Sequence, residues 1–140
     1  MSGVVGIPPD VTPETAPFWD AARQGRLVVE QCRACGAASH PPYGICRACH
    51  GRDLAFVDVV GRGVVYSFTV NHQRWLPDLP VPFALAWVDF PAMPGVRVVG
   101  RVQGCAPDDV RVGMQVEIGF EDGPGGFAVP SFVAMVEGAT

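Results

Sequence analysis

From residue 54 onward, apolar residues recur at every second position in short runs, the period of strands that lie on a core. Leu54–Val60 is the first run, and Gly61-Arg62-Gly63 turns the chain after it. In the next run, Val64, Tyr66, Phe68 and Val70 share one apolar face, expected to point inward, with Val65, Ser67 and Thr69 opposite. Phe83–Phe90 is apolar on both faces, as in a buried central strand or one covered by another surface. Val96, Val98, Gly100 and Val102 then share a face with Arg97 and Arg101 opposite. Val116, Ile118 and Phe120 point inward along Gln115–Phe120, and Phe127–Val136 ends the series. The one helical period comes earlier, over Thr15–Gln24, with Thr15 as a cap, Pro17 in the first turn and Gly25 as the stop. Its stripe of Phe18, Trp19 and Ala22 must dock on something, because fewer than three turns do not persist alone in water. The stripe either packs on its own chain or reaches a partner subunit.

Five or six short strands bent at glycines, in under 90 residues, fit a small closed barrel of the OB type better than a sandwich. The chain of 140 residues carries 17 Gly and 14 Pro, a content that disfavours long helices. Three segments are expected: a loose N-terminus over 1–14, a helix and cysteine-rich ribbon over 15–53, and a barrel over 54–138. The fold class is therefore mainly β. No stretch has the form of a secretory signal or the roughly 18–20 apolar residues of a membrane span, so the expected location is the cytoplasm.

Charge narrows the function classes. All ten basic residues are Arg, which removes Schiff-base and phosphate-loop lysine chemistry. A net charge of −4 argues against general nucleic-acid binding, and Tyr66 and Phe68 on the inward face read as core rather than as a platform for bases. A nucleic-acid-binding ribbon–barrel module remains the rival reading. Basic charge concentrates in residues 21–52, where five Arg face Glu30 alone.

Two Cys-x-x-Cys units, Cys32-Arg-Ala-Cys35 and Cys46-Arg-Ala-Cys49, stand ten residues apart. Four thiolates in this pattern complete a tetrahedral shell and leave no open position, so the ion would be structural. Zinc is the first choice, with iron in the same cage or an unliganded or disulfide role as the alternatives. His40 and His50 are near enough to substitute as ligands, though four sulfurs make them unnecessary. Arg33 and Arg47 occupy equivalent positions in the two units; they either hold a small polyanion or offset the charge of the thiolates. Cys105, without a His or Lys beside it, reads as a packed thiol.

The segment His72–Pro82 is long for a strand connection and carries Trp75, Leu76 and Leu79 among polar residues. These three either anchor an interface or fold back on the barrel end. No recognisable nucleophile–base spacing accompanies His72, and no hydrolase or dinucleotide motif occurs.

The helix with Phe18-Trp19, the four-cysteine ribbon with Pro41-Pro42, the run Gly61-Arg62-Gly63-Val64-Val65-Tyr66-Ser67-Phe68 and the later Asp109-Val110-Arg111-Val112-Gly113 together resemble the DUF35 family from about residue 15 to 136. That family joins a rubredoxin-like zinc ribbon to an OB-fold. The resemblance implies a non-catalytic accessory subunit of a thiolase-superfamily enzyme, a thiolase or thiolase-type aldolase acting on acyl-CoA in lipid or steroid metabolism. It implies zinc on Cys32, Cys35, Cys46 and Cys49, and a wall of an acyl-CoA channel shared with the partner. Many members carry Arg after the paired prolines, where this chain has Tyr43, so a contact to CoA phosphates would move to Arg47 or Arg33. Phe18, Trp19, Trp75, Leu76 and Leu79 are the expected partner surface.

Overall fold

The computed structural model describes residues 6–77 and 79–135. Helix α1 spans Ala16–Arg23. Gly25, at φ 77°, takes the left-handed position after the last turn, and the amides of Gly25 and Arg26 close back on the carbonyls of Ala22 and Ala21. Thr15 does not cap the helix with its side chain, contrary to expectation. Its hydroxyl is engaged with Thr12 instead, accepting the Thr12 N–H at 2.9 Å. Of the loose segment expected over 1–14, residues 1–5 lie outside the described residues, while Pro8 lies against Gly125, where an added Cβ would stand 3.2 Å from it.

Three strands form the ribbon sheet. β1 (Val28–Cys32) lies between β2 (Ala38–Ser39) and β3 (Leu54–Asp58), all antiparallel. Ion pairs bracket the β1–β3 register, Arg26–Asp58 at one end and Arg33–Asp53 at the other, each at 2.8 Å. Both are exposed, so each contributes about 0–1 kcal/mol and acts mainly on register. The first strand of the segment 54–138 therefore hydrogen-bonds to the ribbon, and the barrel strands run between Gly63 and Ala134.

Those strands are β4 (Gly63–Asn71), β5 (Phe83–Asp89), β6 (Arg97–Gln103), β7 (Gln115–Asp122) and β8 (Ala128–Ala134). They close in the order β4-β5-β6-β8-β7, with β7 returning to β4 and with β6 and β8 parallel. Val98 and Val102 of β6 and Val116 of β7 point into the interior, as the alternation of those strands requires, and Phe132 of β8 joins them there. Phe132 needs space at the wall: a Cβ on Gly100 would come within 2.8 Å of its ring.

The alternation of β4 breaks. A bulge between Val65 and Ser67 inserts one residue, which reverses which parity faces inward. Val65, expected outside, is buried opposite Val88, and Val64 sits opposite Asp89 on the outer side. Tyr66, expected in the core, is 52% exposed. Beyond the bulge, Phe68 and Val70 lie opposite the buried Ala86 and Ala84, so they return to the inner side, with Phe68 still partly open to solvent. β5 resolves its two-faced pattern the same way: Ala84, Ala86 and Val88 point in, and Trp87 stands outside at 48% exposure.

One continuous core joins the parts. Phe18 of α1, with Leu27 and Val29, belongs to the same buried cluster as Val65, Phe90, Val98 and Phe132. Ribbon and barrel thus share apolar packing rather than hanging on a linker. Gly100→Ala is expected to cost about 1–3 kcal/mol through overpacking against Phe132, read as a lower urea midpoint at an unchanged slope.

Candidate metal centre and the adjoining cleft

The two cysteine units fold as matching knuckles. Gly36 N–H returns to the Cys32 carbonyl at 2.8 Å, and His50 N–H returns to the Cys46 carbonyl at 2.9 Å. Each closing residue is left-handed, Gly36 at φ 81° and His50 at φ 66°. Glycine reaches this conformation freely, whereas His50 bears the cost of its Cβ.

The knuckles bring all four Sγ atoms within 4.8 Å of one another. The close pairs cross between units: Cys32 with Cys49 at 3.7 Å and Cys35 with Cys46 at 3.6 Å. A tetrahedral zinc with sulfurs at about 2.3 Å would have edges of about 3.8 Å, so the cage fits that ion. Main-chain N–H groups aim at the sulfurs. Those of Cys49 and Ala48 each lie 3.4 Å from Cys46 Sγ, and they pull that thiol down to about 6. The Cys35 N–H lowers Cys32 in the same way. All four cysteines are free of disulfides. Four sulfur donors of this kind suit a structural zinc, and neither histidine belongs to the cluster. His40 instead stacks against Phe18 with ring centroids 5.1 Å apart, and burial lowers it to about 4, leaving it neutral.

The other expected site residues separate. Arg33 is tied to Asp53, whereas Arg47 lies over the Tyr43 ring, 5.3 Å from its centroid. Both Tyr43 and Arg47 line a cleft of about 850 Å³ between the ribbon loop and the barrel, with His40 on the same wall and Trp87, Phe90 and Arg97 opposite. Arg97 is fixed there by Asp89 at 2.6 Å and covers the Tyr66 ring at 3.6 Å. The exposed Tyr66 therefore has one face occupied by a guanidinium rather than free for a base.

Phe18 is only 5% exposed, so it leaves the expected partner surface and serves the core. Trp19 packs edge-on against Phe127 at 5.5 Å, the own-chain alternative for that stripe. Trp75 is the most exposed tryptophan at 70%, and its indole N–H is held by Asn71 Oδ1 at 2.7 Å. Leu76 and Leu79 beside it are half-buried. Cys105 packs against the core, and burial together with Asp109 pushes its thiol up.

Two residues escaped the sequence reading. Trp87 was hidden in a run apolar on both faces. Glu30, whose only signal is being the sole acid between residues 21 and 52, is buried and accepts the N–H groups of Tyr43 and Gly44.

Comparison with known proteins agrees with this layout. Residues 19–55 match the family model of the ChsH2 rubredoxin-like zinc ribbon domain, and residues 56–121 match that of the ChsH2 C-terminal OB-fold domain. The chain belongs to the DUF35 family. This DUF35 chain is 34% identical to the 3-oxo-4,17-pregnadiene-20-carboxyl-CoA hydratase alpha subunit of Mycobacterium tuberculosis, over 83% of its own length and 36% of that subunit. It is 31% identical to a DUF35 domain-containing scaffold protein of Methanocaldococcus jannaschii, over 71% of its length and 74% of the relative. Among solved structures it superposes on a chain of the Ltp2-ChsH2(DUF35) aldolase with a TM-score of 0.84 and 32% identity, covering 92% of this chain and all of that one. The DUF35 chain spans 38% and 36% of the two hydratase alpha subunits that it matches.

Cys46→Ser is expected to abolish stoichiometric metal binding and melt the ribbon while barrel strands persist, measured by metal analysis and residue-resolved hydrogen exchange. His50→Gly should stabilise the metal-loaded ribbon by about 1 kcal/mol by relieving the left-handed Cβ, seen as slower amide exchange across the second knuckle.

Proposed function

We propose that this chain is an accessory subunit, without turnover of its own, of a thiolase-superfamily enzyme that acts on acyl-CoA. The partner would be a thiolase or a thiolase-type aldolase, in steroid or other lipid metabolism. The observation that carries this reading is the superposition on the DUF35 chain of an aldolase over 92% of the chain. The Mycobacterium tuberculosis relative, named for a pregnadiene-carboxyl-CoA, supports the steroid assignment.

In this reading zinc is structural. It would be held by Cys32, Cys35, Cys46 and Cys49, and it supplies folding free energy to a segment too small for a core of its own. A four-cysteine metal cage of this kind fits a compartment that keeps thiols reduced, and we place the chain in the cytoplasm. Among the described residues, no helix is long and apolar enough to cross a membrane.

Trp75 is the proposed docking anchor, flanked by Leu76 and Leu79. A large ring already oriented by Asn71 loses little freedom on binding. Arg47 is the proposed contact for CoA phosphates, since Arg33 is engaged by Asp53 while Arg47 borders the cleft. The cleft would form one wall of the acyl-CoA channel, completed by the partner.

Affinity purification of the tagged chain from its native extract is expected to retain a thiolase-superfamily subunit, and the isolated chain is expected to turn over no acyl-CoA. Product formation by the chain alone, or retention of nucleic acid in place of an enzyme, would overturn the reading. Trp75→Ala should weaken the complex by about 2 kcal/mol or more, as a central aromatic anchor does, with the melting temperature of the free chain unchanged. Calorimetric titration of the complex would measure the loss.

A further inference from the structure

Glu30 is the one acidic side chain buried among the described residues, at 4% exposure, and no arginine pairs with it there. Its carboxylate instead takes main-chain donors, Tyr43 N–H at 2.9 Å on Oε1 and Gly44 N–H at 3.2 Å on Oε2. A buried carboxylate requires such donors, so the contact is as necessary to Glu30 as to the loop. No backbone–backbone hydrogen bond involves residues 40–45 among the described residues. Gly44, at φ 76°, turns its amide toward the carboxylate, and a Cβ there would stand 3.2 Å from Glu14 Cγ. The loop held in this way carries Tyr43, with Arg47 over its ring, as one wall of the cleft that faces Trp87.

We infer that Glu30 is the positioning residue of this cleft: from the rigid strand β1 it fixes the Tyr43–Gly44 backbone, and so sets where Tyr43 and Arg47 stand opposite Trp87. Glu30 touches no ligand itself and acts through Tyr43. The inference about the loop stands on the hydrogen bonds alone; only its consequence for binding rests on the proposed acyl-CoA reading of the cleft.

The test uses the zinc-loaded full chain, with coenzyme A as probe. Glu30→Gln retains the shape and replaces one accepting oxygen by an NH2 that faces a donor. The variant is expected to keep one metal per chain. Amide exchange at Tyr43 and Gly44 should accelerate about tenfold or more, while Gly36, His50 and the barrel amides keep their rates. Coenzyme A affinity should fall as it does in Tyr43→Ala, and adding Glu30→Gln to Tyr43→Ala should lower it no further. If Glu30→Gln does not fold, Gly44→Ala, which strains φ and crowds Glu14, should give the same local acceleration. Unchanged exchange at Tyr43 and Gly44, or equal acceleration across knuckles and barrel, overturns the inference. Additive losses in the double variant overturn it as well. Should the unaltered chain fail to bind coenzyme A, the ligand assigned to the cleft is wrong, and the exchange rates still decide the role of Glu30.

Discussion

Four cysteine sulfurs within 4.8 Å of one another cannot all be thiolates without a cation among them. That constraint organises the N-terminal half of the chain. It explains why main-chain N–H groups turn toward Cys32 and Cys46, why each knuckle ends in a left-handed residue, and why the close sulfur pairs cross between knuckles. An ion bound by crossed pairs ties residues 32–35 to residues 46–49, and the loop between them becomes a closed segment whose shape can be specified.

A rigid ribbon matters only if its orientation on the barrel is fixed. The shared core does that: Phe18, Leu27 and Val29 are buried in the cluster that fills the barrel. The cleft lies at this joint, one wall from the ribbon loop and the other from β5 and β6. Its charged members are held by different means. Arg97 is gripped by Asp89, whereas Arg47 has an aromatic ring for a neighbour, which leaves its guanidinium hydrogens available to an anion. A cleft built in this way presents a preset surface at the joint of ribbon and barrel.

The bulge in β4 separates what periodicity can state from what a closed sheet decides. Strict alternation from Val64 to Val70 gives a consistent answer; it is right for Val70 and wrong for Val64 and Tyr66, while Phe68 takes the inward register opposite Ala86 and yet stays 37% exposed. A single extra residue exchanges the faces, and its position is set by where β4 must leave β7 and follow β5 around the barrel. β6, which has no such bend, follows its sequence pattern, and β7 follows it at Val116, with Ile118 and Phe120 half-buried against the core.

By itself the sequence determined the metal cage, the strand-rich barrel, the short docked helix and the family, because each rests on local spacing: two residues between thiols, two per strand repeat, glycine at the stops. Only the tertiary structure decided which apolar residues face water and which polar ones do not. Phe18 and Trp75 are both large rings in short segments, yet one is core and the other stands exposed beside Asn71. Glu30 in the middle of β1 and Arg33 just past its end are both charged, yet one is buried under two amides and the other bridges to Asp53 in solvent. Burial depends on what the rest of the chain brings to that point, and partners thirteen or twenty residues away leave no periodic trace in the sequence.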